Sequence, residues 1–333
     1  MIRLHYLSRL YKEIHRQLDA ANAFVLLHPQ HVLGDLTIEF EERIARVAGA
    51  NYAAVVGSGS DALYYALIAE NITGFVALPA QTFVATANSI LRARCFPLGI
   101  DVKPNGLMDW EQIPDDIDTL NAAVWVGLFG NREEITSDIP FIEDGAQHFG
   151  AALQTNTAAY SFDPTKSFPN FGNGGAVVSC DKNVIDRVKK LRRHGTVNGH
   201  VGGHSIMSER ECAEMCIKLD FFPFWVERRQ EIARDYHAQL RECVDCITDH
   251  HGQVSKFVIS TPYREELAQH LDNRKIETKR AYTNPVAATQ QAVINCHHFL
   301  QIPCSPHMTD DEVLAVILAI KEFFKVSPFK GAA

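Results

Sequence analysis

Between residues 52 and 179 the chain alternates short apolar or β-rich runs with segments of helical periodicity. The runs lie at 52–57, 75–79, 95–100, 122–129, 140–143, 158–162 and 175–179, and the clearest helical segments at 61–70 and 83–94. A near-continuous apolar run of four to eight residues suits a strand buried on both faces. A helix between successive strands supplies the crossover that parallel pairing needs. The pattern predicts an α/β fold around one seven-stranded, mostly parallel sheet. No helix fits between the last two runs, so one pairing should be antiparallel.

Helices are expected ahead of the sheet at 12–28 and 36–48. In the second, Leu36, Ile38, Phe40, Ile44 and Val47 form an apolar stripe, with Glu39, Glu41, Glu42 and Arg43 outside it. After Cys180 the pattern changes. A basic helix at 183–194 ends at His194-Gly195, and a glycine-rich loop runs to His204. Long helices over 208–247 should break near Phe222-Pro223-Phe224, because proline cannot donate to the helical ladder. Then come a strand at 256–260, a helix at 263–273 and a last helix at 309–325, opened by Thr309 and Glu312 as a capping box. The expected organisation is a large α/β domain over 1–240 and a small C-terminal domain over 241–333. The tail Pro328–Ala333 is expected to fray.

With 333 residues and 46% hydrophobic content the chain can bury a large core. A formal net charge of -8 argues against nucleic acid or anionic membranes as partners. No run approaches the ~20 apolar residues of a membrane span, and the opening residues lack a signal-peptide core. Eight thinly spread cysteines fit reduced thiols in a cytoplasmic enzyme. Cys243 and Cys246 form a C-x-x-C, and Cys296-His297-His298 follows, but no second pair stands at a recognised zinc spacing. No metal is expected.

Three pieces carry chemistry. The run Val55-Val56-Gly57-Ser58-Gly59-Ser60-Asp61-Ala62-Leu63 reads as strand, glycine/serine turn and helix start, a ready anion site. It serves equally as an ordinary helix cap, with Ser58 or Ser60 as the capping residue. Asp144 ends the apolar run Phe141-Ile142-Glu143, where open α/β sheets bind ligands. There it would hold a pyridine nitrogen protonated, or else cap a helix or join a structural ion pair. Strand alternation sends Glu143 to the opposite face. Lys166 follows Tyr160-Ser161-Phe162-Asp163-Pro164-Thr165, flanked by Phe162, Phe168 and Phe171, and precedes Gly172-Asn173-Gly174-Gly175. A lysine among apolar neighbours loses pKa and becomes a nucleophile toward an aldehyde. Phosphate cradle, carboxylate and lysine together suggest pyridoxal phosphate (PLP). Phe83, at a strand–helix junction, is placed either to stack on a ring or to fill the core.

In this order the motifs Gly59-Ser60-Asp61-Ala62-Leu63, Thr82-Phe83-Val84-Ala85-Thr86, Glu143-Asp144-Gly145-Ala146-Gln147 and Ser161-Phe162-Asp163-Pro164-Thr165-Lys166 resemble the DegT/DnrJ/EryC1/StrS family. Gly174-Gly175-Ala176-Val177 and His194-Gly195 add to the match, which runs from about Gly34 to Leu240 and more weakly beyond. These are PLP-dependent aminotransferases acting on nucleotide-linked keto-sugars. The resemblance implies the large PLP-transferase fold, with Lys166 carrying the cofactor and moving the proton. It sets Asp144 against the ring nitrogen, Gln147 near the ring hydroxyl and Phe83 over one ring face. Ser60, Ser161 and backbone amides near Gly59 and Asp61 would hold the phosphate. It also implies a homodimer with shared active sites.

The chain departs from the family where a partner-subunit loop of the form Gly-x-Asn-x-Arg-Met reaches the phosphate. Here the run is Gly202-Gly203-His204-Ser205-Ile206-Met207, so His204 or Ser205 would replace that contact. Some relatives carry histidine at the lysine position and dehydrate their substrate; Lys166 favours transamination. The expected reaction takes an amino group from L-glutamate, through the pyridoxamine form (PMP), to a nucleotide-linked keto-deoxysugar for surface polysaccharide or glycoconjugate synthesis. Two other readings stand beside it: a PLP enzyme of the same fold with a different reaction, and a low-turnover cofactor-binding regulator. Small-acid aminotransferases usually clamp a carboxylate with a bidentate arginine. The candidate here is Arg280, beside Tyr282 in the C-terminal part.

Overall fold

A computed structural model describes residues 1–27, 29–114 and 120–326; the tail from 327 lies outside the described residues. Seven strands build the main sheet: β1 (Tyr52–Val56), β2 (Phe75–Pro79), β3 (Phe96–Ile100), β4 (Leu120–Val126), β5 (Phe141–Asp144), β6 (Thr157–Ser161) and β7 (Gly175–Ser179). Their spatial order is β1-β7-β6-β5-β4-β2-β3. The pairs from β6 outward to β3 are parallel. β7 runs antiparallel to both β6 and β1. The missing crossover between the last two runs foretold this reversal, and all seven predicted runs are strands of the sheet.

The helices are α1 (Leu7–Leu27), α2 (Asp35–Ala48), α3 (Gly59–Ala69), α4 (Val84–Arg92), α5 (Lys182–Leu191), α6 (Glu209–Leu240), α7 (Arg264–Asn273), α8 (Gln290–His298) and α9 (Asp310–Val326). Strand alternation divides the sheet's side chains between two layers. Ala54, Val56 and Val177 pack with Leu63, Ala66 and Leu67 of α3 and Val188 of α5. Val55, Ala176 and Val178 pack on the other side with Ile14 of α1, Phe40 of α2 and Met215 of α6. Burial on both faces is what makes these strands read as apolar runs.

The expected break at Pro223 does not occur. α6 is one helix of 32 residues with Pro223 inside it. Phe222 and Trp225 beside the proline are buried in the second layer, and that packing holds the helix together across the lost hydrogen bond. The glycine-rich loop contains a hairpin, β8 (Thr196–Val197) and β9 (His200–Val201). Asn198 (φ 49°) and Gly199 (φ 75°) form its turn, the Asn-Gly signal of a two-residue hairpin.

Beyond α6 a second, antiparallel sheet forms from β10 (Asp245–Cys246), β11 (Phe257–Ser260), β12 (Lys279–Arg280) and β13 (Phe299–Ile302), in the order β10-β11-β13-β12. One face, with Phe257, Ile259, Leu300 and Ile302, packs on Leu267 of α7, Ile320 of α9 and Tyr236 of α6. The other face, with Val258, turns toward the main sheet. Thr309 and Glu312 form the expected capping box, with each residue's side chain accepting from the other's amide at 3.0 and 3.2 Å. Among the described residues no helix is long and apolar enough to cross a membrane.

Candidate active site

A cleft of about 770 Å³ opens between the ends of the main-sheet strands and the second sheet. Ser58, Gly59 and Ser60 at the start of α3, Phe83, Asp144, Gln147, Ser161 and Lys166 all line it. Four separate sequence motifs thus meet in one space.

At the start of α3, Ser58 is the cap. Its hydroxyl accepts from the Asp61 amide at 3.1 Å. The amides ahead of Asp61 have no intrahelical acceptor, because the first helical bond runs from the Ala62 amide to the Ser58 carbonyl, and they carry the positive end of the helix dipole. Space is tight here. A Cβ on Gly59 would meet Ser161 Cβ at 2.4 Å, and one on Gly175 would meet the Ser58 carbonyl oxygen at 2.5 Å. Glycine at both positions lets the helix start lie against the ends of β6 and β7.

The Asp61 side chain does not line the cleft, while its amide stands at the helix start. Its carboxylate turns back, taking Arg92 at 3.2 Å and the Ser205 hydroxyl at 2.8 Å. Ser205 also accepts from the Gly57 amide at 2.9 Å and is buried within its own chain. His204 is exposed and stacks on His194 with ring centroids 5.7 Å apart. Neither residue of that loop lines the cleft of its own chain.

Asp144 is half-buried at the end of β5. Its Oδ2 accepts from the Thr86 hydroxyl at 2.8 Å and its Oδ1 from the Ala146 amide at 3.2 Å. Thr86 is fully buried on α4, and its hydroxyl also lies 3.0 Å from that of Thr82. Glu143 points the other way, as alternation requires. It is fully buried with His148 at 3.0 Å and accepts from the Thr155 amide at 3.1 Å.

Lys166 leaves β6 through a turn in which its amide donates to the Asp163 carbonyl at 2.9 Å. Burial holds its amine below the usual lysine range, while the Asp144 and Asp163 carboxylates pull the other way. Gln147 is committed on both sides: its oxygen accepts from the Phe129 amide at 3.0 Å, and its amide donates to the Tyr282 hydroxyl at 3.0 Å. Phe83 caps α4 and is 59% exposed, so it is not a core residue. Arg280 is not free. It holds Glu265 through two nitrogens.

Lys279 and Gln301 of the second sheet, with Lys256 just before β11 and Tyr282 just after β12, also line the cleft. Sequence reasoning assigned none of them a place there. Tyr282 was visible only as a neighbour of Arg280. Among the described residues the thiols at 243 and 246 do not gather with Cys296 and the histidines after it; the one group of three potential metal ligands is Asp249, His250 and His251.

The model of the DegT/DnrJ/EryC1/StrS aminotransferase family matches residues 13–321. The chain belongs to this family. Its cofactor is pyridoxal phosphate, and it is an aminotransferase. The relatives include the pleiotropic regulatory protein of Geobacillus stearothermophilus, 27% identical over 96% of each chain. Another is the dTDP-3-amino-3,4,6-trideoxy-alpha-D-glucose transaminase of Streptomyces venezuelae, 27% identical over 95% of this chain and 94% of that one. The fold matches the crystal structure of S. venezuelae DesV with a TM-score of 0.91, at 26% identity, over 97% of this chain and 98% of that one.

Proposed function

We propose that this DegT/DnrJ/EryC1/StrS aminotransferase moves an amino group from L-glutamate to a nucleotide-linked keto-deoxysugar. The product would enter surface polysaccharide or glycoconjugate synthesis. The observation that carries the reading is the cleft. At about 770 Å³ it lies in the upper part of the range for small-molecule sites, room for a cofactor and a bulky acceptor together. Its lining arginine, Arg280, is tied to Glu265, so among the described residues the cleft shows no free bidentate clamp of the kind typical of small-acid aminotransferases.

The residues present fit the cofactor. The crowded glycine turn at Gly59 leaves amides and the Ser60 and Ser161 hydroxyls to take a phosphate at the positive end of α3. Asp144, oriented by Thr86, supplies a carboxylate for a ring nitrogen. Phe83 offers an exposed ring to cover a planar group. Lys166 offers an amine that burial biases toward its neutral, nucleophilic form. When bound, the cofactor supplies an electron sink for breaking a bond at the substrate's amine-bearing carbon. Lys166 then holds and returns the proton at its Nζ, Asp144 keeps the ring nitrogen charged, and Gln147 orients Tyr282 at the rim. Asp61 and Ser205 act from behind, bracing the helix start.

The enzyme is proposed to be a homodimer that completes its site with the partner's loop, through the exposed His204. Exposed Val84 and Leu91 on α4, beside Phe83, support a covered face there. The test loads the enzyme with L-glutamate, which should bleach its yellow colour. A panel of nucleotide keto-sugars and 2-keto acids is then offered. Return of the colour with a keto-sugar is expected. Return with oxaloacetate or pyruvate alone would sink the sugar assignment.

A further inference from the structure

The cleft wall formed with the second sheet carries two lysines that no carboxylate holds in an ion pair among the described residues. In the second sheet Val258 pairs with Gln301, and Gln301 pairs in turn with Lys279. Directly paired residues project from the same face, and Lys256, two residues before Val258, shares it. Lys256, Lys279 and Gln301 thus stand together on the face that lines the cleft, beside Lys166. Among the described residues neither Lys256 nor Lys279 forms an ion pair, although ion pairs are common elsewhere on the chain. Gln301 is 4% exposed.

The charges in the cleft do not balance. Lys166, Lys256 and Lys279 face Asp144 and Asp163. Asp163 is already engaged by the amide and hydroxyl of Thr165. On the function proposed above, Asp144 answers the cofactor's ring and the phosphate sits at the far end, on α3. Lys256 and Lys279 remain on the same cleft, with Asp163 near Lys256 but with no ion pair among the described residues. Burial, then Lys166 and Lys279, lower the Lys256 amine to about 7 while Asp163 pulls the other way, so an anion bound beside it would favour its charged form. A donor amino acid must present its amine to Lys166 and its carboxylate nearby. Two lysine ammonium groups with one amide donor would grip that carboxylate as point charges, without the planar fork of an arginine.

We infer that Lys256, Lys279 and Gln301 form a carboxylate subsite that anchors the amino-group donor beside Lys166. The inference rests on the proposed transaminase reading, so its test measures binding apart from turnover. Glutarate carries both carboxylates of glutamate and no amine, so it binds without reacting. Its affinity for the cofactor-loaded enzyme would be measured by calorimetry in the wild type, in Lys256→Met and in Lys279→Gln. Uridine diphosphate serves as a second anion probe, standing for the acceptor's diphosphate. Lys279→Gln alters an exposed side chain, which keeps one variant safe from folding defects.

Each variant should weaken glutarate at least about tenfold while uridine diphosphate changes less than about threefold. In the glutamate half-reaction the half-saturating concentration should rise by a similar factor, with the limiting rate little changed. Glutarate affinity within threefold of wild type in both variants overturns the subsite. An equal or larger loss for uridine diphosphate overturns its assignment to the donor. If glutarate behaves as expected but glutamate never bleaches the wild type, the subsite stands and the proposed donor falls.

Discussion

Thr86 donates its hydroxyl to Asp144 across 2.8 Å, from a fully buried position on a different element of the fold. That bond fixes which way the carboxylate faces, and the Ala146 amide holds its other oxygen. Thr86→Val keeps the shape and removes the donor. Losing one such bond is worth about 1 kcal/mol, or roughly a fivefold fall in turnover. Steady-state kinetics on the loaded enzyme check this, and the cofactor should remain bound.

Asp144→Asn removes the charge without removing the side chain. An uncharged partner no longer favours a protonated ring nitrogen, so turnover should fall by about 100-fold or more. Near-normal rates with an unchanged cofactor spectrum would remove Asp144 from the proposed mechanism. Lys166→Ala should abolish turnover outright. Borohydride treatment should then fail to fix the cofactor to the chain, as read by mass spectrometry of the intact protein.

Glu209, the first residue of α6, is buried at the start of α2. Its carboxylate accepts from the amides of Gly34, Leu36 and Thr37 at 2.9, 2.9 and 3.1 Å, and from the Thr37 hydroxyl. Gly34, the residue capping α2, has no side chain to do this. Glu209→Gln should destabilise the protein by about 1–3 kcal/mol in denaturant titrations, since it exchanges an anion for an amide with one oxygen. Catalytic constants of the folded fraction should be little changed.

Arg9 reaches Glu312 through two nitrogens at 2.6 and 2.7 Å, and the Tyr6 hydroxyl joins them at 3.0 Å. These bonds, Arg9 first, pull the Glu312 carboxyl down to about 2. Its folded pKa lies below the unfolded value, so the stabilisation is full above about 4.5 and is lost as pH falls toward 2. The pair is open to solvent on one side, which reduces its worth to about 1 kcal/mol. Glu312→Gln should show that deficit at pH 7 and a shrinking one below pH 4.5, in parallel unfolding curves.

The main sheet was legible because its strands are buried on both faces, which leaves apolar runs in the sequence. Asp144 and Lys166 were legible because each follows such a run. Lys256, Lys279 and Gln301 were not. They sit on strands of two and four residues, too short to show a period, or at the margin of one. Only the pairing of β11, β12 and β13 brings them together. Thr86 was quoted within its motif, yet its bond to Asp144 depends on how α4 packs against β5. The direction of the Asp61 side chain was not legible either. Arg92 and Ser205 draw its carboxylate away from the cleft through contacts that only the fold creates. The proline rule failed at Pro223 because buried neighbours outweighed one missing hydrogen bond.

The unbroken α6 holds both sides of the cleft. Lys218 donates to the Pro169 carbonyl at 2.9 Å and Arg229 to the Ser167 carbonyl at 2.9 Å, next to Lys166. Further along, Tyr236 donates to the Pro303 carbonyl at 2.7 Å, and His237 lies 2.7 Å from the Thr248 carbonyl, in the second sheet's half. A helix of 32 residues is a rod of about 48 Å. The distance between Lys166 and the second-sheet wall is therefore set partly along a rod, with the Ser255 amide on the Phe129 carbonyl at 3.0 Å and the Val286 amide on the Ala80 carbonyl at 2.8 Å closing the two halves together. Inserting one helical turn between Arg229 and Tyr236 would set the rod against those direct bonds, so the gauge of the cleft is held by a long helix and by short contacts at once.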